Sequence, residues 1–234
     1  MKIGHSTRRI PKVESKRKHN AAERRRQLCD AAISLLADEG PRGLSHLKVD
    51  RLAGVPDGTT SFYFRTRAAL LHGVADQLVR YDAEAFTKTF KDAPNSSGDV
   101  IAGMLAGQVL AIRAEPRLSR TRARLELTMS GRRDAGIASE FQQMAESYRA
   151  LAERLVMAIQ TDQGKSVDRT LCDEQTSVLI TYLGGLVFAF ANDSPEEMSR
   201  DDVQRQIRAV INGVAAERAA CQTPTSDSNG ARAK

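Results

Sequence analysis

The sequence predicts an all-α fold: a small three-helix unit followed by a larger helical domain. Three observations carry that expectation. Aromatic residues make up only 5% of the chain and Trp is absent, so a core must come from Leu, Ala, Val and Ile, a composition that suits helices better than sheets. Apolar residues recur at i, i+3, i+4 over long windows, and no segment reads as a strand. Finally, residues 52–71 read LAGVPDGTTSFYFRTRAALL: a glycine turn, then a short hydroxyl-rich segment of about two helical turns, then a basic pair, Arg65 and Arg67.

With 234 residues the chain can bury a sizeable core, in one large domain or two small ones. At 41% apolar and 27% charged it has a globular, soluble composition. The formal net charge of +6 is uneven: residues 1–26 hold ten Lys or Arg against Glu14 and Glu23, a net +8, so the remainder sums to about −2. A basic arm on a near-neutral body attracts polyanions, nucleic acid or an acidic membrane surface alike. Cys29, Cys172 and Cys221 form no CxxC pair and no disulfide framework, which suggests a reducing compartment. No apolar run follows the charged N-terminus. The longest apolar run, Val178 to Ala191, is 14 residues, short of a membrane span. The cytoplasm is the expected location, without a membrane partner.

Each element follows from local signals. Residues 1–19 lack apolar periodicity and read as a disordered basic arm. A helix then runs to about Glu39, with Leu28, Ala32, Leu35 and Leu36 on one face, and Gly40 with Pro41 ends it. Ser45 caps a second helix whose buried candidates are Leu47, Val49 and Leu52. Gly54 makes the turn and Val55 pins it to the core. Pro56 stands at or just before the third helix, with Asp57 in its first turn. From Arg67 to about Lys91 a long helix presents Leu70, Leu71, Val74, Leu78, Tyr81 and Phe86. Residues 93–99 form a loop, and a helix with Ile101, Leu105 and Val109 follows as far as Pro116. A short amphipathic piece carries Leu118, Leu125 and Leu127. Another helix spans Ile137 to about Ile159. The last two helices, Asp168 to Asn192 and Ser199 to about Arg218, are richest in apolar residues. Apolar positions cover well over half the circumference of the first, where a surface helix needs one stripe. Two such antiparallel helices suit a two-fold, four-helix interface through Leu179, Leu183, Leu186, Val187, Ile207, Val210, Ile211 and Val214. Residues 220–234 read as a disordered tail.

Enzymatic chemistry finds no residues to stand on. Gly164-Lys165-Ser166 lacks the upstream glycine and strand of a phosphate loop, since Ile159 stands where that glycine belongs. His5, His19, His46 and His72 have no metal-ligand spacing. There is no serine elbow and no dinucleotide glycine pattern. A lone carboxylate such as Glu126 reads as a salt-bridge partner, and Cys29 as core. No catalytic residue, metal or cofactor is expected.

The N-terminal sixty or so residues, with the apolar long helix that follows, resemble the tetracycline-repressor (TetR/AcrR) family of bacterial transcription regulators. The shared pieces are AAISLLADEG, ending in Gly40, then Ala53-Gly54-Val55, Gly58-Thr59, Phe64, and Arg67 ahead of Leu70-Leu71. Beyond residue 75 only the architecture is similar. The family's usual Tyr, which touches the DNA backbone, is Ser61 here; its usual Lys is Arg67; its usual Ser at the head of the recognition helix is Pro56. The resemblance implies a helix-turn-helix DNA-binding domain (20–66) and a helical ligand-binding and dimerisation domain (67–219). It implies a homodimeric repressor that a small-molecule effector releases from a palindromic operator in double-stranded DNA.

On that reading Val55, Thr60, Phe64, Leu52 and Ala53 pack the domain. Asp57, Gly58, Thr59 and Tyr63 are the candidates for base edges, with Phe62 or Tyr63 making up for the short Ser61. Ser45, His46, Lys48, Ser61, Arg65 and Arg67, with Arg24, Arg25 and Arg26, are the candidates for phosphate. The effector cavity falls on Phe86, Phe90, Met104, Gln108, Arg122, Leu125, Met129, Phe141, Met144, Tyr148 and Phe188, an apolar set that favours a hydrophobic ligand. The competing readings are a DNA-binding protein without an effector and a basic membrane-surface protein.

Overall fold

The computed structural model describes residues 12–130, 134–162, 164, 166–194 and 197–222. Residues 1–11 of the expected arm and 223–234 of the expected tail lie outside them. Among the described residues there are nine α-helices, two short 3-10 turns and no strand. The helices are α1 (Lys12–Gly43), α2 (His46–Leu52), α3 (Thr59–Tyr63), α4 (Arg67–Phe90), α5 (Gly98–Leu110), α6 (Arg117–Ser130), α7 (Ala135–Asp162), α8 (Arg169–Ala191) and α9 (Arg200–Gln222).

Two helix limits differ from the sequence expectation at the ends of the chain. The first helix begins at Lys12 and not near residue 20. The segment, KVESKRKH, has no apolar face, but its Lys, Arg and Glu are strong helix formers without one. At the other end α9 continues to Gln222, through an Ala-rich turn. Gly40 breaks α1 as expected, with a left-handed φ of 66°, and Pro41 to Gly43 add one further turn. The third helix starts at Thr59, after Gly58 at φ 93°, so Pro56 and Asp57 belong to the turn and not to the helix.

The chain divides into two compact units. One holds the described residues up to Arg80 together with Arg122–Glu140; the other holds Tyr81–Thr121 and the residues from Phe141 onward. The two units part between Arg80 and Tyr81, inside α4. A continuous helix has no loop or change of composition there to reveal it.

In the first unit Leu28, Ala32, Leu36, Val49, Leu70 and Val74 are fully buried. Their i, i+4 spacing in α1 is the apolar stripe that the sequence shows. Leu47 and Leu52 of α2 are exposed, Leu52 by 55%. Alternation along a seven-residue helix leaves only one turn facing inward, and Val49 and Asp50 take it.

The second unit has a continuous core formed by Phe90, Ile101, Leu105, Leu151, Leu155, Cys172, Leu179, Val203, Ile207 and Ile211 with their neighbours. A buried polar relay crosses it. Gln160 Nε2 donates to Gln175 Oε1 at 2.8 Å, and Gln175 Nε2 donates to the Ile211 carbonyl at 2.7 Å. These bonds satisfy groups that would otherwise be costly to bury, and they fix the register of α7, α8 and α9. Arg200 Nε donates to the Gly103 carbonyl at 2.9 Å, and Gln204 Nε2 to the Asp99 carbonyl at 3.0 Å, joining α9 to α5.

Burial separates the residues expected at a dimer seam. Leu179, Ile207 and Ile211 have no exposure, so they belong to the protomer's own core and offer no surface to a partner. Leu183, Leu186, Val187, Val210 and Val214 are half-buried. The open face of α8 is formed instead by Val178, Thr181, Gly184, Gly185 and Phe188. Helix α8 is also long and apolar enough by composition to cross a membrane, which the shorter uninterrupted run concealed; only 28% of its most apolar stretch is buried.

Candidate nucleic-acid interface

Helix α3 has five residues, far fewer than a helix needs to persist by itself in water. A buried carboxylate organises it. Asp50, in the last turn of α2 and 1% exposed, accepts from Gly58 N at 2.8 Å, Thr60 N at 2.7 Å and Thr60 Oγ1 at 2.5 Å. Its own carbonyl accepts from Val55 N at 3.0 Å. An ionised carboxylate is tolerated in the interior only when donors surround it, and here they are the orphan N–H groups at the start of α3. The residues cannot easily be exchanged: Gly58 supplies a left-handed conformation that L side chains disfavour.

The far end of α3 is fixed as well. Phe64 is buried, and its ring lies where a Cβ on Gly73 would come within 2.5 Å of Cε1, so the glycine makes its seat. The Phe64 carbonyl accepts from His46 Nε2 at 2.8 Å. Gln27 Nε2 donates to the Ala53 carbonyl at 2.8 Å, tying α1 to the turn. The inner face of α3 is thus Thr60 and Phe64, as expected for Val55, Thr60 and Phe64, all of which are buried.

The outward residues sort into engaged and open groups. Thr59 Oγ1 donates to the Pro56 carbonyl at 2.6 Å, and the residue is half-buried. Tyr63 is half-buried, edge-on to Phe62 at 5.2 Å, with the Arg25 guanidinium 5.8 Å from its ring centre. Asp57, Gly58, Ser61 and Arg65 are exposed. Among the described residues Ser61 and Arg65 have no side-chain partner. Phe62 is 79% exposed, the highest value of any large apolar residue described.

Several phosphate candidates have internal partners. His46 bonds Phe64 and is half-buried, so its ring serves the fold. Ser45 is the N-cap of α2, accepting from Lys48 N at 3.3 Å. Lys48 pairs with Glu39 at 2.5 Å, and Arg67 donates to the Pro41 carbonyl. Arg24 donates to Gln27 at 2.6 Å, Arg26 pairs with Glu23 at 2.7 Å, and Arg25 stacks 5.0 Å over Phe64. Lys48, Arg25, Arg26 and Arg67 remain exposed, and exposed ion pairs are weak enough to yield to a polyanion.

Sequence reasoning missed two residues. Arg51 is exposed in the last turn of α2, without a side-chain partner among the described residues; its position two residues before Ala53-Gly54-Val55 was the available signal. Asp50 gave none, because its donors come from residues eight and ten positions on. Beside α3, in the same unit, an open groove of about 630 Å³ includes Arg25, Tyr63, Arg65, His72 and Glu140. His72 Nε2 lies 3.1 Å from Asp134, and its Nδ1 lies 3.7 Å from Glu140. Burial raises the Glu140 carboxyl above the usual range, against the pull of His72.

The effector candidates disperse. Phe86 contacts Phe90 and Tyr148 at 5.0 and 5.1 Å, and with Met104 they belong to or border the second unit's core. Gln108 accepts from Thr89 at 3.3 Å and Arg117 at 2.9 Å. Phe141 and Met144 are half-buried in the second unit, and Arg122 and Leu125 half-buried in the first. Met129 is 70% and Phe188 60% exposed, too open to be cavity walls within the protomer. The family resemblance puts these two on the same footing as Leu125 and Phe86, because it reaches only to the helix and not to the side of it.

No family model matches the chain, and no curated protein is similar to it. Solved structures are. The fold is that of TetR-family transcription regulators. A TetR transcription regulator from Haloarcula marismortui ATCC 43049 superposes with a TM-score of 0.63 at 17% identity, covering 82% of this chain and 98% of that one. A TetR-like transcriptional regulator from Rhodococcus sp. RHA1 gives 0.59 at 13%, covering 92% and 100%. The multidrug binding protein EbrR, complexed with ethidium, gives 0.55 at 22%, covering 80% and 98%.

Proposed function

We propose that the chain is a TetR-family transcription regulator, a homodimer that binds a palindromic operator and releases it when a small hydrophobic molecule binds. The observation that carries this reading is α3. Its inner face is locked to Asp50 and to the Phe64 seat, while Ser61, Phe62 and Arg65 stand open on its outer side. A rigid short helix with a polar, basic-flanked outer surface fits the major groove.

The dimer reading rests on α8. Gly184 and Gly185 are mid-helix glycines whose added Cβ would meet nothing within 4 Å. They serve no packing need inside the protomer, although each costs about 1 kcal/mol in a helix. Close approach of a second copy supplies the need, with Val178 and Phe188 flanking it. A two-fold dimer requires half-sites about 34–36 Å apart, or a multiple of that spacing. The effector reading rests on the apolar second unit and on EbrR, which binds ethidium on this fold. A ligand preferring one separation of the two recognition helices shifts the population toward it, and a coupling of about 1–3 kcal/mol lowers DNA affinity roughly 5–150-fold.

The test is selection from a random duplex library with the full chain, followed by competition against unrelated DNA. A two-fold-symmetric consensus is expected, with Thr59→Ala and Tyr63→Ala lowering specific binding while non-specific binding persists. Equal loss on both kinds of DNA removes those two residues from base readout, and absence of any consensus overturns the reading as a regulator.

A further inference from the structure

Phe62 is not explained by the fold. It is the fourth of the five residues of α3, whose opposite face is fixed by three hydrogen bonds to Asp50, so the ring cannot turn inward without unmaking that face. A Phe left 79% exposed forfeits most of the gain that burying its ring would bring. Its neighbours Asp57, Gly58, Ser61 and Arg65 are exposed polar residues or glycine, and it lines the open groove beside α3 together with Arg25, Tyr63 and Arg65, so its apolar surface is small and set in polar, basic surroundings, unlike the broad patches that dock proteins. The ring is also held: Tyr63 meets it edge-on at 83°, and Arg25 lies over Tyr63 in turn.

We infer that Phe62 is a specificity-determining residue that reads the 5-methyl group of a thymine in each operator half-site. The inference rests on the DNA-binding reading above. Charge favours DNA as the occupant: Arg51 and Arg65 are exposed without side-chain partners among the described residues, and Arg25, Lys48 and Arg67 are exposed nearby in sequence. In the major groove the thymine methyl is the one apolar group a base pair offers, and Phe is a side chain that meets it by contact alone. Thr59 and Phe62 are three residues apart on the helix, so a hydroxyl and an apolar ring are presented together. That pairing suits adjacent bases of which one is thymine.

The experiment replaces each thymine of the selected consensus by deoxyuracil, which lacks only the methyl group, and measures binding by the full wild-type chain and by Phe62→Ala and Phe62→Leu. One thymine per half-site should show a preference of about fourfold over uracil, or about fifteenfold when both half-sites are changed. Phe62→Ala should bind thymine and uracil operators equally, and Phe62→Leu should keep part of the preference. Thermal unfolding of Phe62→Ala should match wild type, because the ring is outside the core. The inference is overturned if uracil is tolerated at every position. It is overturned equally if Phe62→Ala keeps the wild-type discrimination, or if the variant loses affinity for anionic vesicles and not for DNA. A consensus without a Phe62-dependent thymine sinks this inference alone; no consensus at all sinks the DNA-reading role with it.

Discussion

Asp50 does more for the candidate interface than any residue that faces solvent. Three donors converge on its carboxylate, and hydrogen bonds to a buried charge are each worth roughly 1.5–3 kcal/mol. Asp50→Ala should therefore lower the stability of the first unit by at least ~3 kcal/mol and abolish specific DNA binding, read by urea unfolding and operator titration. Asp50→Asn, which keeps one acceptor, should lose less. An unchanged midpoint for Asp50→Ala would mean that α3 is held in some other way. The cysteines make a second residue-scale case. Burial pushes the Cys29 thiol up to about 12 and raises Cys172 as well, and only Cys221 is exposed. Because the thiolate is the reactive form, a raised value leaves Cys29 protonated and inert at about pH 8. One thiol should react rapidly with a disulfide reagent in the native protein and three after denaturation; rapid reaction of all three in native conditions contradicts the burial. Val55, Thr60 and Phe64 were legible as packing residues from the motif. Asp50 was not, because an acidic residue on a short helix reads as surface until the turn that surrounds it exists.

At the scale of elements, the sequence located all the long helices, because each carries an apolar stripe. It misjudged α1, where helix propensity alone extends the element to Lys12, and it put Pro56 and Asp57 too close to α3. A DNA contact by the basic N-terminal segment is a proposal that salt dependence tests. Residues 1–19 carry Lys2, Arg8, Arg9, Lys12, Lys16, Arg17 and Lys18. Deleting them should flatten the salt dependence of DNA binding, by roughly 0.9 in slope for each phosphate that is no longer neutralised. An unchanged slope makes the segment a bystander. For α8, Phe188→Glu should convert the proposed dimer to monomer with helical content intact, as seen by light scattering and circular dichroism. The residue is 60% exposed in the protomer, so folding gives no reason for loss; a persisting dimer would place the interface elsewhere. The sequence showed α8 to be apolar around most of its circumference but not which side the protomer itself covers. Leu179 went to the core and Val178 to the open face, a difference of one position that only packing decides.

For the whole molecule, the division into two units falls within α4, and residues of α6 and α7 join the first unit. Such a division has no signature in composition, since continuous helices span it. An effector cavity is not legible for a related reason: Phe86, Phe90 and Tyr148 read alike as core and as pocket wall, and both roles ask for the same apolar residues. Regulation is a property of this scale. A hydrophobic effector should lower operator affinity, roughly 5–150-fold, without changing non-specific binding, and titration of candidate ligands against the operator complex checks it. The most direct measurement is the ratio of affinities for the selected operator and for unrelated DNA of equal length, taken at one salt concentration with the full-length chain. A sequence reader with α3 in the major groove should give a ratio of about 10³ or more on a two-fold-symmetric site. A ratio near one would contradict that role and leave a basic protein that binds polyanions by charge.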